Sequence, residues 1–403
     1  MSTSLLYHAF GIVGYRYVRT HYEGGQVFFS IGQDRHRLRC SACRSRKVVP
    51  KGSIFRRFRS LPIGSRPVWL LFDVPRVQCL ACGLTRQVEL AFADPRRSYT
   101  KSFERYVLEL SRHMTIKDIA NHLKVGWDMV KDIQKKNLQR KFSRPVLKGL
   151  KRIAIDEISI GKGHRYLTVV MDLVKGVVVF VGEGKGAEAL LTFWKRLRSS
   201  RAKIKAVALD MSPAYIAAVL ENLRGVAMVF DHFHVIKLFN DRLSELRRRM
   251  YSHATAFGKK VLKGSRWLLL KNPENLKEEH NERQRLKEAL ELNQPLAIAY
   301  YMKEDLRRFW SQPDKESARA FLSDWMARAS ASSVPMLMKF ARTLAGHRFG
   351  LLNYFDHPIS TGPLEGTNNK IKTMKRQAYG FRDMEFFKLK IMAIHEARYA
   401  LAG

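Results

Sequence analysis

Three acids far apart in the chain carry the residue types and surroundings of a metal-dependent site. Asp156 lies in KRIAIDEISI (residues 151–160), a run of β-formers around one carboxylate that reads as a buried strand presenting an acid at its end. Asp210 closes a second such run, IKAVALDMS (204–212). Glu365 falls in the first turn of a helix that opens after Gly362 and Pro363 in STGPLEGTNNKIKTMKR (360–376). Carboxylates that converge at strand ends repel one another and favour neutralisation by hard divalent cations, Mg²⁺ or Mn²⁺. Two such ions about 3.5–4 Å apart activate an attacking oxygen and stabilise the leaving one in an in-line phosphodiester displacement. In that scheme Asp156 bridges both ions, while Asp210 and Glu365 each complete one shell. Glu157 points to the opposite side of its strand and stays outside. Asp231 and His234, in FDHFHVIK (230–237), end a later strand near the same sheet edge. They are candidates to orient the substrate or assist proton transfer, with a purely structural hydrogen bond as the alternative for His234.

The four cysteines form two Cys-x-x-Cys pairs, Cys40/Cys43 and Cys79/Cys82, and none is left over. Two such knuckles supply four thiolates to a closed, structural zinc site, and the long gap between them calls for an inserted hairpin. Disulfides are the alternative, disfavoured in a cytoplasmic chain.

The charge names the partner. Lys and Arg number 73 against 36 Asp and Glu, a net +37 over 403 residues, which implies a polyanion. Residues 1–150 hold 29 basic and 10 acidic side chains, +19 in the first third. No amphipathic basic helix or long apolar run points to a membrane, and MSTSLLYHAF lacks the pattern of a signal peptide. The expectation is a cytoplasmic, nucleoid-associated protein working on DNA or RNA. On DNA, water would attack first to release a 3′ hydroxyl, and that hydroxyl would then attack target DNA.

The elements that must position these groups follow in chain order. RYVRTHY and QVFFSI around Gly24 and Gly25 suggest a hairpin. Between the cysteine pairs lie Arg44, Arg46, Lys47, Lys51, Arg56, Arg57 and Arg59, candidate phosphate contacts. Ile116, Ile119, Ala120, Leu123, Val125, Val130 and Ile133 have the spacing of a helix-turn-helix, in which Trp127, Asp128, Lys131 and Lys135 point outward to groove or phosphates. Residues 143–145 read as a linker. Residues 151–235 read β-β-β-α-β-α-β, the order of a ribonuclease H-like mixed sheet, in which the first and fourth strands are neighbours. Residues 236–355 are helix-forming, broken at Pro273, Pro295, Pro313 and Pro335. Trp267 there reads as a core residue rather than a stacking platform. On the Glu365 helix, Asn368, Asn369, Lys372, Lys375, Arg376 and Tyr379 recur at three- and four-residue steps, a row of phosphate-binding groups. The closing segment EFFKLKIMAIHEARYAL is expected to pack on the sheet.

Taken together, the paired knuckles, the helix-turn-helix, IAIDEIS, ALDMSPAY, DHFHVIKL and GPLEGTNNKIKTMKRQAYGFR resemble the ISL-three family of bacterial insertion-sequence transposases, from about Cys40 to the last helix. The resemblance implies a multidomain α/β chain. Residues 1–97 would hold the zinc ribbon and 98–145 the helix-turn-helix. Residues 146–235 and 356–403 would form the ribonuclease H-like DDE core, interrupted by an all-helical insertion at 236–355. It also implies Asp156, Asp210 and Glu365 as the metal-binding triad, terminal inverted repeats and target DNA as partners, and a homo-oligomer on DNA. The rivals are a transposase-derived DNA-binding regulator and a nuclease of the same fold that never joins strands.

Overall fold

The computed structural model describes residues 5–161 and 163–396. It divides into two compact units, residues 1–143 with 374–403, and residues 144–373.

The first unit opens with a short helix, α1 (Leu5–Phe10), and a five-stranded mixed sheet. Its strands are β1 (Arg16–Glu23), β2 (Gln26–Gly32), β3 (Val48–Ile63), β4 (Arg66–Cys79) and β5 (Thr85–Gln87), in the order β1-β2-β4-β3 with β5 on β4. The predicted hairpin is β1–β2, turning through Gly24 and Gly25 at φ 53° and 72°, a region that favours glycine. The long β3–β4 hairpin is the insertion required between the cysteine pairs. Phe29, Phe58, Val68, Leu70, Phe72 and Phe92 form the core beneath it. Three helices follow, α2 (Lys101–Leu110), α3 (Ile116–Leu123) and α4 (Trp127–Phe142). Thr100 and Thr115 cap the first two by accepting from the N–H groups of Phe103 and Asp118. Ile116, Ile119, Ala120 and Leu123 are buried against Val130, Ile133 and Leu138, and Lys124 in the left-handed region closes the turn. This is the predicted helix-turn-helix.

The second unit is built on another five-stranded mixed sheet. Its strands are β6 (Arg152–Gly161), β7 (Arg165–Asp172), β8 (Val177–Glu183), β9 (Ala206–Leu209) and β10 (Ala227–Phe230), with α5 (Leu191–Ser200) and α6 (Pro213–Asn222) in the crossovers. The order is β10-β9-β6-β7-β8, antiparallel from β6 through β8 and parallel from β6 through β10. Alternation along β6 sends Ile153 and Ile155 into the core with Trp194 and Val219, and Asp156 to the other face. Eight helices follow: α7 (His232–His253), α8 (Ala256–Leu262), α9 (Ser265–Leu270), α10 (Glu282–Glu291), α11 (Gln294–Arg307), α12 (Lys315–Ala331), α13 (Pro335–Gly346) and α14 (Arg348–Asp356). Pro295 and Pro335 stand in the first turns of α11 and α13, where the missing N–H costs nothing.

Helix α14, within the expected helical insertion, packs on β10, where the Asn353 amide donates to the carbonyl of Met228 at 2.9 Å. Two expectations change. Trp267 is 63% exposed, with the Arg266 guanidinium 4.9 Å from its ring centre, because α9 turns its Leu268 and Leu269 inward instead. After α15 (Gly362–Gln377), the last helix α16 (Met384–Met392) packs on α4, not on the sheet. Polar pairing decides this: Lys131 and Lys135 both reach Asp383 at 3.0 Å, and the Gln139 amide donates to Glu385 at 2.8 Å.

Candidate metal centres

Register places the first two acids. In the parallel pairing of β6 with β9, Ile153 faces Val207 and Ala154 faces Ala208, so two residues further Asp156 and Asp210 fall at one level and on one face. Adjacent strands are about 4.8 Å apart. The Asp156 carboxyl is pushed up to about 6, mainly by burial, against the opposing pull of the Glu157 N–H and the His234 charge, with Asp210 and Glu157 adding to the rise. One Asp156 oxygen accepts from the Glu157 N–H at 2.8 Å, and one Asp210 oxygen accepts from the Ser212 N–H at 3.0 Å. Next in line, β10 pairs Phe230 with Leu209, which brings Asp231 level with Asp210.

Asp231 does something the sequence reading did not foresee. Its buried carboxylate caps α7 through the Phe233 N–H at 2.7 Å and accepts the Thr361 N–H at 2.6 Å. Thr361 in turn accepts the Glu365 N–H at 2.8 Å, so Asp231 anchors the start of α15 rather than facing substrate. His234 is half-buried and close enough to influence Asp156.

Helix α15 buries Leu364, Thr367, Asn368, Ile371 and Met374, a regular three- and four-residue stripe. Glu365 is half-buried beside that stripe. One turn on, the Asn368 amide donates to the second Asp156 oxygen at 2.8 Å, while its own Oδ1 is buried without a hydrogen-bond partner. A desolvated carboxylate beside an orphaned acceptor fits a hard cation or the water around one. The three acids are not drawn together at ligand distance, since among the described residues the four cysteines alone form such a cluster. Mutual repulsion of carboxylates is the physical reason to expect that spacing. The sequence puts Asn368 in the row of phosphate-binding groups, whereas here its amide holds Asp156. The three-residue step from Glu365 was the signal for Asn368.

The cysteines are gathered tightly. Cys40 and Cys82 sulfurs are 3.7 Å apart, Cys43 and Cys79 3.5 Å, and all four lie within 4.8 Å of one another. A disulfide needs about 2.05 Å, whereas zinc bonds of about 2.3 Å imply a tetrahedral edge of about 3.8 Å. The knuckles repeat one backbone design. Arg44 N–H bonds Cys40 O and Gly83 N–H bonds Cys79 O, and both Arg44 and Gly83 have positive φ. The N–H groups of Cys82 and Ala81 hold the Cys79 thiol down at about 6 and those of Cys43 and Ala42 lower Cys40, while against the Ser45 N–H the neighbouring sulfurs, Cys79 first, push Cys43 up to about 12.

The candidate DNA contacts separate by surroundings. Arg44, Arg46, Lys47 and Lys51 are exposed, and Arg57 is exposed beside Trp69. Arg56 donates to the carbonyl of Arg97 at 2.6 Å. Arg59 is fully buried and donates to the carbonyls of Val68 and Leu123 at 3.1 and 2.8 Å, which removes it from solvent and caps the end of α3. Trp127 is 46% exposed. Lys131 and Lys135 do not project outward as expected, since Asp383 holds both. Along α15, Asn369, Lys372 and Arg376 are exposed and Lys375 is half-buried.

Comparison with known proteins follows this architecture. Residues 153–391 match a family model described as transposase, residues 88–136 one for the helix-turn-helix domain of transposase family ISL3, and residues 36–82 one for the zinc-finger of transposases IS204, IS1001, IS1096 and IS1165. The chain is 33% identical over 364 residues to the transposase for insertion sequence element IS1001 of Bordetella parapertussis, covering 88% of each. It is 30% identical over 396 residues to the transposase for IS1557 of Mycobacterium tuberculosis, covering 91% of this chain and 87% of that one. Among solved structures, the Drosophila P element transposase strand transfer complex aligns at a TM-score of 0.30 with 11% identity, over 73% of this chain and 93% of that one.

Proposed function

Since the chain belongs to the ISL3 family of insertion-sequence transposases, we propose that it binds the terminal inverted repeats of its element, cleaves DNA there and transfers the 3′ ends to target DNA. The second unit is then a ribonuclease H-like core, for which the strand order β10-β9-β6-β7-β8 speaks. Asp156, Asp210 and Glu365 are its metal ligands. The single observation that carries this reading is the meeting at Asp156: the register sets Asp210 beside it, and α15 delivers Asn368 to it from one turn beyond Glu365.

Mg²⁺ or Mn²⁺, when bound, supplies Lewis-acid stabilisation of the attacking and leaving oxygens of an in-line displacement. The chain's own groups prepare for it. Asn368 fixes the rotamer of Asp156 and leaves Oδ1 as a further acceptor. Asp231 holds Thr361, hence the first turn of α15, so that Glu365 projects from a tethered helix. The exposed basic residues of the knuckles and of α15 neutralise phosphates. Zinc on Cys40, Cys43, Cys79 and Cys82 is structural, because four protein thiolates leave no open position. The working form is a homo-oligomer on DNA.

The test uses DNA from the ends of the element. Asp156→Asn should abolish cleavage while footprints on the inverted repeats persist. Wild type given pre-cleaved 3′ ends and Mg²⁺ should join them to plasmid; hydrolysis without joining would favour a nuclease, and footprints with no cleavage by wild type would favour a regulator.

A further inference from the structure

A cleft of about 810 Å³ opens within the first unit, far larger than a water site and within the range of ligand pockets. Its walls come from the starts of α3 and α4, the turn at residues 377–382, and α16. Four aromatic rings line it, the buried Phe386 and three others in different states. Phe381 is fixed, stacked on Phe387 with ring centres 4.5 Å apart and planes 15° apart. Trp127 is half in solvent, with the Lys131 ammonium 5.4 Å from its ring centre. Tyr379 is wholly exposed on a backbone with φ 52°, a conformation a tyrosine does not adopt for its own sake. Lys117, Lys131, Arg382 and Lys390 line the cleft against one acid, Asp383, whose charge Lys131 and Lys135 already take up.

We propose that this cleft receives a single unstacked nucleobase, with Tyr379 and Trp127 as stacking faces and Lys117 and Arg382 for the adjoining phosphates. The inference rests on the DNA-directed reading above and adds a substrate feature to it. Flat π surfaces take any base, a cationic rim follows its backbone, and a cleft of this size excludes a duplex. Because helix-turn-helix residues and the turn after the Glu365 helix line it together, a base held here would be one displaced from pairing near the bound end.

The experiment uses full-length protein and a short duplex with an unpaired 3′ tail carrying 2-aminopurine, against the same duplex fully paired. Wild type should quench the tail fluorescence on binding. Tyr379→Ala should remove most of the quench and weaken the tailed duplex about ten-fold more than the paired one, and Tyr379→Phe should restore both. Binding of the tailed duplex with unchanged fluorescence would overturn the cleft assignment alone. So would a quench that survives Tyr379→Ala but is lost in Trp267→Ala, which would place the base on the exposed tryptophan of α9. Failure of wild type to bind paired duplex would instead remove the DNA reading itself.

Discussion

At the scale of single residues, the buried carboxyl of Asp156 carries a stability cost. Its carboxyl is raised from 3.8 to about 6, first by burial. A raised acid holds its proton more tightly in the folded state than in the unfolded one, so folding loses free energy as pH climbs from about 3.8 through about 6 and does not regain it above. Asp156→Asn should therefore melt higher than wild type at pH 7.5, by about 1–2 kcal/mol after discounting partial exposure, and the gain should vanish below about pH 4. Thermal melts across pH read this directly. Equal melting of the two proteins at pH 7.5 would mean that Asp156 is not desolvated. Mg²⁺ should raise the wild-type midpoint and leave the variant's unchanged. Asp231 shows the converse case. It looked like a substrate-facing acid in the sequence, and hydrogen bonding made it an anchor.

At the scale of elements, packing turns a nominal insertion helix into part of the sheet's support. A Cβ on Gly350 of α14 would lie 2.3 Å from Phe230 Cε2, and Phe230 is itself buried at the end of β10. Gly350→Ala should destabilise the protein by about 1–3 kcal/mol, because neither the helix nor the ring can retreat without opening the core. Urea unfolding checks it, and a neutral or stabilising result would show that α14 does not press on β10. Helix α16 teaches a related lesson. Asp383 would be pushed up by burial, yet the Phe386 N–H, Lys131 and Lys135 overcome this and hold it at about 2. One acid thus fixes the last helix on α4 and withdraws two lysines from the surface where amphipathic spacing had put them. The knuckles reward the same comparison, since Arg44 occupies the left-handed position that Gly83 fills in the other.

At the scale of the whole molecule, a zinc-dependent ribbon is joined to a sheet that needs no zinc for its core. Chelation should remove one zinc ion per chain and lower the stability of the first unit by several kcal/mol, roughly 5 or more, with Cys82→Ser reproducing the loss. Metal analysis and calorimetry test it together, and a zinc-free protein with an unchanged melt would refute it. The sequence by itself determined the local and the compositional: β6 as a buried strand around one acid, the stepped burial of α3 and α4, the paired knuckles, and a charge of +37 that calls for a polyanion. These are legible because periodicity and charge are properties of neighbours in the chain. Tertiary structure alone decided which polar group meets which. It paired Asn368 rather than Asn369 with Asp156, set Arg59 inside, tied Lys131 and Lys135 to Asp383, and left Trp267 in solvent. The partners in these pairs lie from 9 to more than two hundred positions apart, and a polar side chain's role depends on which distant donor or acceptor reaches it before water does.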